Sequence, residues 1–145
     1  MRAPSLALVA AVSLFVAGCS SQVNHGTAAI PRTTPAAAAA TRSFLSGPGS
    51  GLLHMNSMAS TLTLSTPAAT CRSDGAGLVG IVSTSSSNGQ LADEQLAELL
   101  VDEESALAAA LTDCSARSPS PAALNELRTI RSDVMSRLHS DGVRQ

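Results

Sequence analysis

The chain has no lysine, no tryptophan and no tyrosine, and only two phenylalanines among its 145 residues. Phe15 lies in the apolar opening run, so Phe44 is the single aromatic beyond it. A buried aromatic covers a large area per residue. Without them the core must be built from Leu, Ala, Val, Ile and Met, which predicts a small domain of modest stability. One Phe cannot form a stacking platform for sugars or bases, which disfavours glycan lectins and single-strand nucleic-acid binders. All nine basic residues are Arg, set against eleven acidic ones. With no basic excess, no nucleic-acid partner is expected. No serine sits in a Gly-x-Ser-x-Gly elbow. His25, His54 and His139 stand in unlike contexts. No nucleophile triad can be assembled, and the reading is of a protein that is not an enzyme.

What is present begins at the amino terminus. Arg2 precedes the apolar run Leu6–Val16, followed by Val16-Ala17-Gly18-Cys19. The run fits the h-region of a secretory signal. It is well short of the roughly 20 apolar residues that a membrane-spanning helix needs. The tetrapeptide resembles the lipobox of bacterial lipoproteins, in which small residues precede a cysteine that becomes the new amino terminus. With its Ala-rich, Lys-free composition, the chain resembles small envelope lipoproteins of the actinobacterial, mycobacterial type. The resemblance covers only about the first 20 residues. It implies a signal peptide at 1–18, a diacylglyceryl group on Cys19, and a lipid anchor at the outer face of the cytoplasmic membrane. Two acyl chains suffice for stable anchoring. Residues 19–34 read as the lipidated terminus and a flexible tether, polar and with scattered small residues. Thr27, Thr33 and Thr34 are candidates for O-linked sugars there.

Cys71 and Cys114 remain, an even pair that in an exported chain reads as a disulfide. They lack the short spacing of a C-x-x-C redox or metal motif. Residues 35–142 then form one small domain. Thr34-Pro35 has the signature of a helix start, ahead of an alanine run. Leu52, Met55, Ala59 and Leu62 fall on one helical face, predicting a helix over 50–64. Pro67 opens a short helix carrying Cys71. Leu78–Val82 is an apolar run that reads either as a buried strand or as a tight helix. Leu96, Leu100, Leu107, Leu111 and Cys114 stripe the clearest helix, over 91–114, with Asp93 and Glu94 in its first turn. Ser120-Pro121 starts the last helix, whose stripe is Leu124, Leu127, Ile130, Val134 and Leu138. Asp133 and Arg137 are spaced for a pair on its surface, and Gly142 stands near its C-terminal cap. The expected fold is mainly α: a small disulfide-linked helical bundle with a C-terminal antiparallel hairpin. The alternative is an α+β form with a short strand pair near 61–84.

Three groups carry candidate chemistry. His54, Met55 and Met58 offer an imidazole and two thioethers, a soft set suited to Cu(I). Met55 is also needed on the apolar face, and Met fills core gaps. The carboxylates Glu98, Asp102, Glu103 and Glu104 could hold a hard cation, although charge runs on such helices are ordinarily solvated. Glu103 differs, lying on the stripe side between Leu100 and Leu107. Arg128, Arg131, Arg137 and Arg144 could meet anionic lipid or wall polymer, or serve solubility alone. The sequence therefore predicts a lipid-anchored binding or accessory module meeting an envelope protein, lipid or wall polymer, with no cofactor. A copper-handling lipoprotein is the alternative.

Overall fold

A computed structural model describes residues 33–85 and 91–144. The expected signal peptide, Cys19 and the tether up to residue 32 lie outside the described residues. Five helices follow in order: α1 Pro35–Leu45, α2 Ser50–Thr61, α3 Ala68–Ser85, α4 Glu94–Ala116 and α5 Pro121–Ser140. There is no strand among the described residues, so the α+β alternative is overturned.

The chain ends its helices with local chemistry. Thr34 Oγ1 accepts from the Ala37 N–H at 3.2 Å, and Pro35 opens α1. The turn to α2 needs glycine at position 49, because a Cβ there would run into the Phe44 ring. The expected helix over 50–64 stops at Thr61; Leu62 is extended. Thr66 Oγ1 then accepts from the Thr63 N–H at 2.9 Å, so the alternating Thr61–Ser65 stretch is a hydroxyl-braced turn. The short helix expected around Cys71 runs on through the Leu78–Val82 segment as α3. In that form Cys71 and Leu78, two turns apart, are both buried, while Val79 is 70% exposed. A strand would have buried alternate residues and had no neighbour to pair with. The glycines of α3 cost helix propensity; packing on α4 and the disulfide offset that cost.

Cys71 and Cys114 are bonded, with Cα atoms 5.8 Å apart. By chain-entropy reckoning, closing a loop of this length contributes about 4 kcal/mol, a large share for a core with one aromatic. α4 and α5 are joined by only residues 117–120 and pack as the expected antiparallel hairpin. α3 lies on α4, α2 touches α3, α4 and α5, and α1 covers α2. The stripes form one core: Leu96, Leu100, Leu107 and Leu111 of α4 meet Leu124, Leu127, Val134 and Leu138 of α5, with Leu52 and Met55 of α2. Ser120 Oγ accepts from the Ala123 N–H at 3.1 Å to start α5. At its end Gly142 has φ 70°, with Gly142 N–H bonded to the His139 carbonyl and Val143 N–H to that of Leu138. This is a Schellman cap. No helix of the described residues is long and apolar enough to cross a membrane.

Candidate functional site

The chemistry of this domain is held inside it, in two polar clusters on the buried side of α4. The first centres on Glu103. The stripe of α4 passes from Leu100 to Leu107 through this residue, which is 0% exposed. Asn56 of α2, also 0% exposed, donates from Nδ2 to Glu103 Oε1 at 2.9 Å. Arg131 of α5 donates from Nε to the Asn56 backbone carbonyl at 3.3 Å. Glu103 Oε2 and Asn56 Oδ1 are both buried with no hydrogen-bond partner. Burial pushes the Glu103 carboxyl above the usual range; the Asn56 hydrogen bond and the Arg131 charge pull the other way without cancelling it.

The second cluster joins the start of α4 to the end of α5. Asp93 caps α4, its Oδ1 accepting from the Leu96 N–H at 3.2 Å. The same carboxylate takes Arg137 in a two-bond fork, Nε to Oδ2 at 2.5 Å and Nη2 to Oδ1 at 3.0 Å. Thr33 Oγ1 donates to Asp93 Oδ2 at 3.2 Å, tying the segment ahead of α1 to the start of α4. Burial raises the Asp93 carboxyl, but the bonds from Arg137 and the Leu96 N–H outweigh it and hold it below the ordinary range. Asp141 lies beside this pair, 1% exposed, with neither carboxyl oxygen hydrogen-bonded. Burial and the neighbouring Asp93 carboxylate raise it, against the opposing influence of Thr33 and Arg137. Arg42 of α1 closes the end by donating Nη1 to the Asp141 carbonyl at 2.5 Å.

The expected copper trio is only partly gathered. His54 is exposed and Met58 half-buried, and both line a hollow of about 420 Å³ with Ser57, Ser73 and Asp74. Met55 is 0% exposed in the core and does not line that hollow. Among the described residues no group of three or more His, Cys, Asp or Glu side chains is placed to hold a metal ion. Glu98 and Asp102 are exposed and Glu104 half-buried. The four arginines do not make one patch. Arg137 is in the ion pair, Arg131 is on the Asn56 carbonyl, Arg128 reaches Asn125 Oδ1 at 3.4 Å, and Arg144 lines a separate hollow with Arg42. His139 is exposed.

Sequence reasoning singled out Glu103 but not its partner. An asparagine in a Met-rich segment carried no signal beyond lying one position from the apolar face. The sequence alone places Asp93 as a carboxylate in the first turn of a helix and pairs Arg137 with Asp133 four residues before it. The structure instead directs Arg137 across the bundle to Asp93, 44 residues away. Position could have flagged it, since Arg137 immediately precedes Leu138 of the buried stripe. Chemically, these clusters can bind and release protons and lock helices together. Neither contains a serine, cysteine or histidine nucleophile beside a base. Comparison with family models, with curated proteins and with solved structures finds no match to this chain.

Proposed function

We propose that this chain is an exported lipoprotein, anchored through a diacylglyceryl group on Cys19 to the outer face of the cytoplasmic membrane. Its helical domain serves there as a non-enzymatic binding or accessory module. The observation that carries this reading is Val16-Ala17-Gly18-Cys19 placed directly behind an apolar run with Arg2 at its head. The Cys71–Cys114 bond supports it, because disulfides persist in oxidising compartments. Intact-mass analysis of the membrane fraction tests it. The wild-type chain should begin at Cys19 and carry the mass of a diacylglyceryl unit, and Cys19→Ala should remain an unlipidated precursor. A wild-type chain without lipid, or a lipid-modified C19A chain, overturns the anchor. Crosslinking in intact cells then tests the module: the wild-type domain should capture a discrete envelope protein, lipid or wall fragment.

A second reading, copper handling, draws on the hollow in which His54 and Met58 meet beside Asp74. Titrating the disulfide-bonded domain with Cu(I) against a competing chelator decides it. Tight binding lost in His54→Ala supports it, and no competition with the chelator removes it.

A further inference from the structure

The two orphaned atoms in the centre of the core belong to side chains that already touch. Asn56 Nδ2 donates to Glu103 Oε1 at 2.9 Å, which brings the amide and the carboxyl group together. What remains on each group is an oxygen without a partner, Asn56 Oδ1 and Glu103 Oε2. An ionised carboxylate only accepts, and an amide oxygen only accepts. As an anion, Glu103 would therefore leave two acceptors and one charge in a site where both side chains are 0% exposed. Such burial is costly without full pairing. A carboxylic acid removes the conflict. Its O–H donates to the amide oxygen while its other oxygen accepts from the amide N–H.

We propose that Glu103 is held as the neutral acid in the folded domain, its Oε2–H donating to Asn56 Oδ1, and that the resulting two-bond ring is a proton-dependent latch fastening α2 to α4. Among the described residues no other side-chain hydrogen bond joins these two helices; the rest of the contact is apolar, through Leu52, Met55 and Ala59. The proton is the switch. When Glu103 ionises, the Oε2–H bond is lost, a charge appears in the core, and α2 loosens from α4.

The surrounding charges are few. From α5, Arg131 is a cation whose charge reaches Glu103, and its Nε is engaged by the Asn56 backbone carbonyl. From α2, the one titratable side chain is His54, which is exposed and lines the outer hollow with Asp74 of α3. Arg72 of α3 donates to the Ser115 carbonyl at the far end of α4. Arg42 of α1 is on the Asp141 carbonyl. On α4 itself Asp102 faces solvent and Glu104 is half-buried. Among the described residues Arg131 is thus the cation whose charge favours the anion, and its Nε bonds the Asn56 backbone carbonyl rather than the carboxyl.

The test is a carbon-detected NMR titration of the side-chain carboxyls in the full-length, disulfide-bonded chain. Glu103 should keep the chemical shift of a protonated acid after the exposed glutamates have ionised. Hydrogen-exchange protection of α2, corrected for intrinsic exchange, should then fall as Glu103 titrates. A Glu103 carboxyl that ionises together with or before the exposed glutamates overturns the proposal. So does α2 protection that is indifferent to its titration. Glu103→Gln supplies the second arm, because its amide N–H₂ replaces the O–H and keeps both ring bonds. Its melting temperature should equal that of the wild type in acid and exceed it increasingly as pH rises. A difference that does not change with pH, or a wild type that gains on E103Q with pH, overturns the latch. The NMR arm reads the wild-type chain and stands whether or not the variant folds.

Discussion

Two polar clusters sit on the buried side of α4, just under about three helix turns apart along it, and they solve the same physical problem in opposite ways. At the start of α4, Asp93 is buried with a guanidinium fork, a backbone N–H and a hydroxyl, enough donors to keep it charged. At the middle of the helix, Glu103 has one amide N–H and no cation bonded to it. The first carboxyl is held below its ordinary range and the second above. Burial is common to both; the number and charge of the donors decides the direction. Asp141 makes the point within one cluster. It lies beside the same Arg137, yet Asp93 occupies the guanidinium, and Asp141 is raised.

The sharpest way to break this contrast is to remove the cation. Arg137→Met leaves Asp93 buried without its fork and should cost about 3–5 kcal/mol, read by urea unfolding near neutral pH. Arg137→Lys, which keeps charge but not the fork, should fall in between. A loss below about 1 kcal/mol would mean that the pair behaves like a surface salt bridge. Removing the donor at the second cluster should matter less. Asn56→Ala strips the partner from Glu103 and should cost about 1–3 kcal/mol by the same measurement.

The pH dependence separates the clusters by sign. Asp93 binds protons less tightly folded than unfolded. Its contribution is present above the ordinary value of 3.8 and is lost as pH falls through the lower folded value. Glu103 and Asp141 bind protons more tightly folded. Their contribution is full below their ordinary values of 4.5 and 3.8 and is lost as pH rises through the folded ones. Unfolding free energy measured over a pH series should therefore fall on both sides of a mildly acidic maximum. Asp141→Asn should flatten the falling limb on the high-pH side. An unchanged high-pH limb would take Asp141 out of the account.

Changes away from both clusters provide the baseline and the smallest effects. Ser120→Ala removes the α5 cap and should cost about 1 kcal/mol. Gly77→Ala, where a Cβ meets nothing within 4 Å, should gain up to about 1 kcal/mol. Both should shift thermal unfolding equally at every pH. A pH-dependent effect from either would show that the contrast between the clusters is not specific to their carboxyls.

Much of the fold was readable because its signals are local. Thr34-Pro35 and Ser120-Pro121 announce helix starts through chemistry within three residues, and both cap as expected. The leucine stripes of α4 and α5 repeat at helical spacing and are buried as that spacing predicts. Leu78–Val82 was ambiguous for the same reason: a run of five apolar residues flanked by glycine has no period to read. Its helical form depends on α4 lying alongside and on the bond to Cys114. The candidate sites divided likewise. Glu103 was noticeable because a carboxylate on a leucine stripe breaks a local pattern. Asn56 breaks none.

The sequence by itself determined α4 and α5 with their buried faces, the even cysteine pair and the lipobox-like opening, because each is written in residues a few positions apart. Only the tertiary structure decided which charges meet. Asp93 and Arg137 are 44 residues apart and Asn56 and Glu103 are 47 apart. No spacing rule links them; they come together because the bundle lays α2 and α5 against α4. The leucine that would continue the stripe at position 103 is a glutamate, and what that exchange means for protons depends on the one amide that packing brings to it.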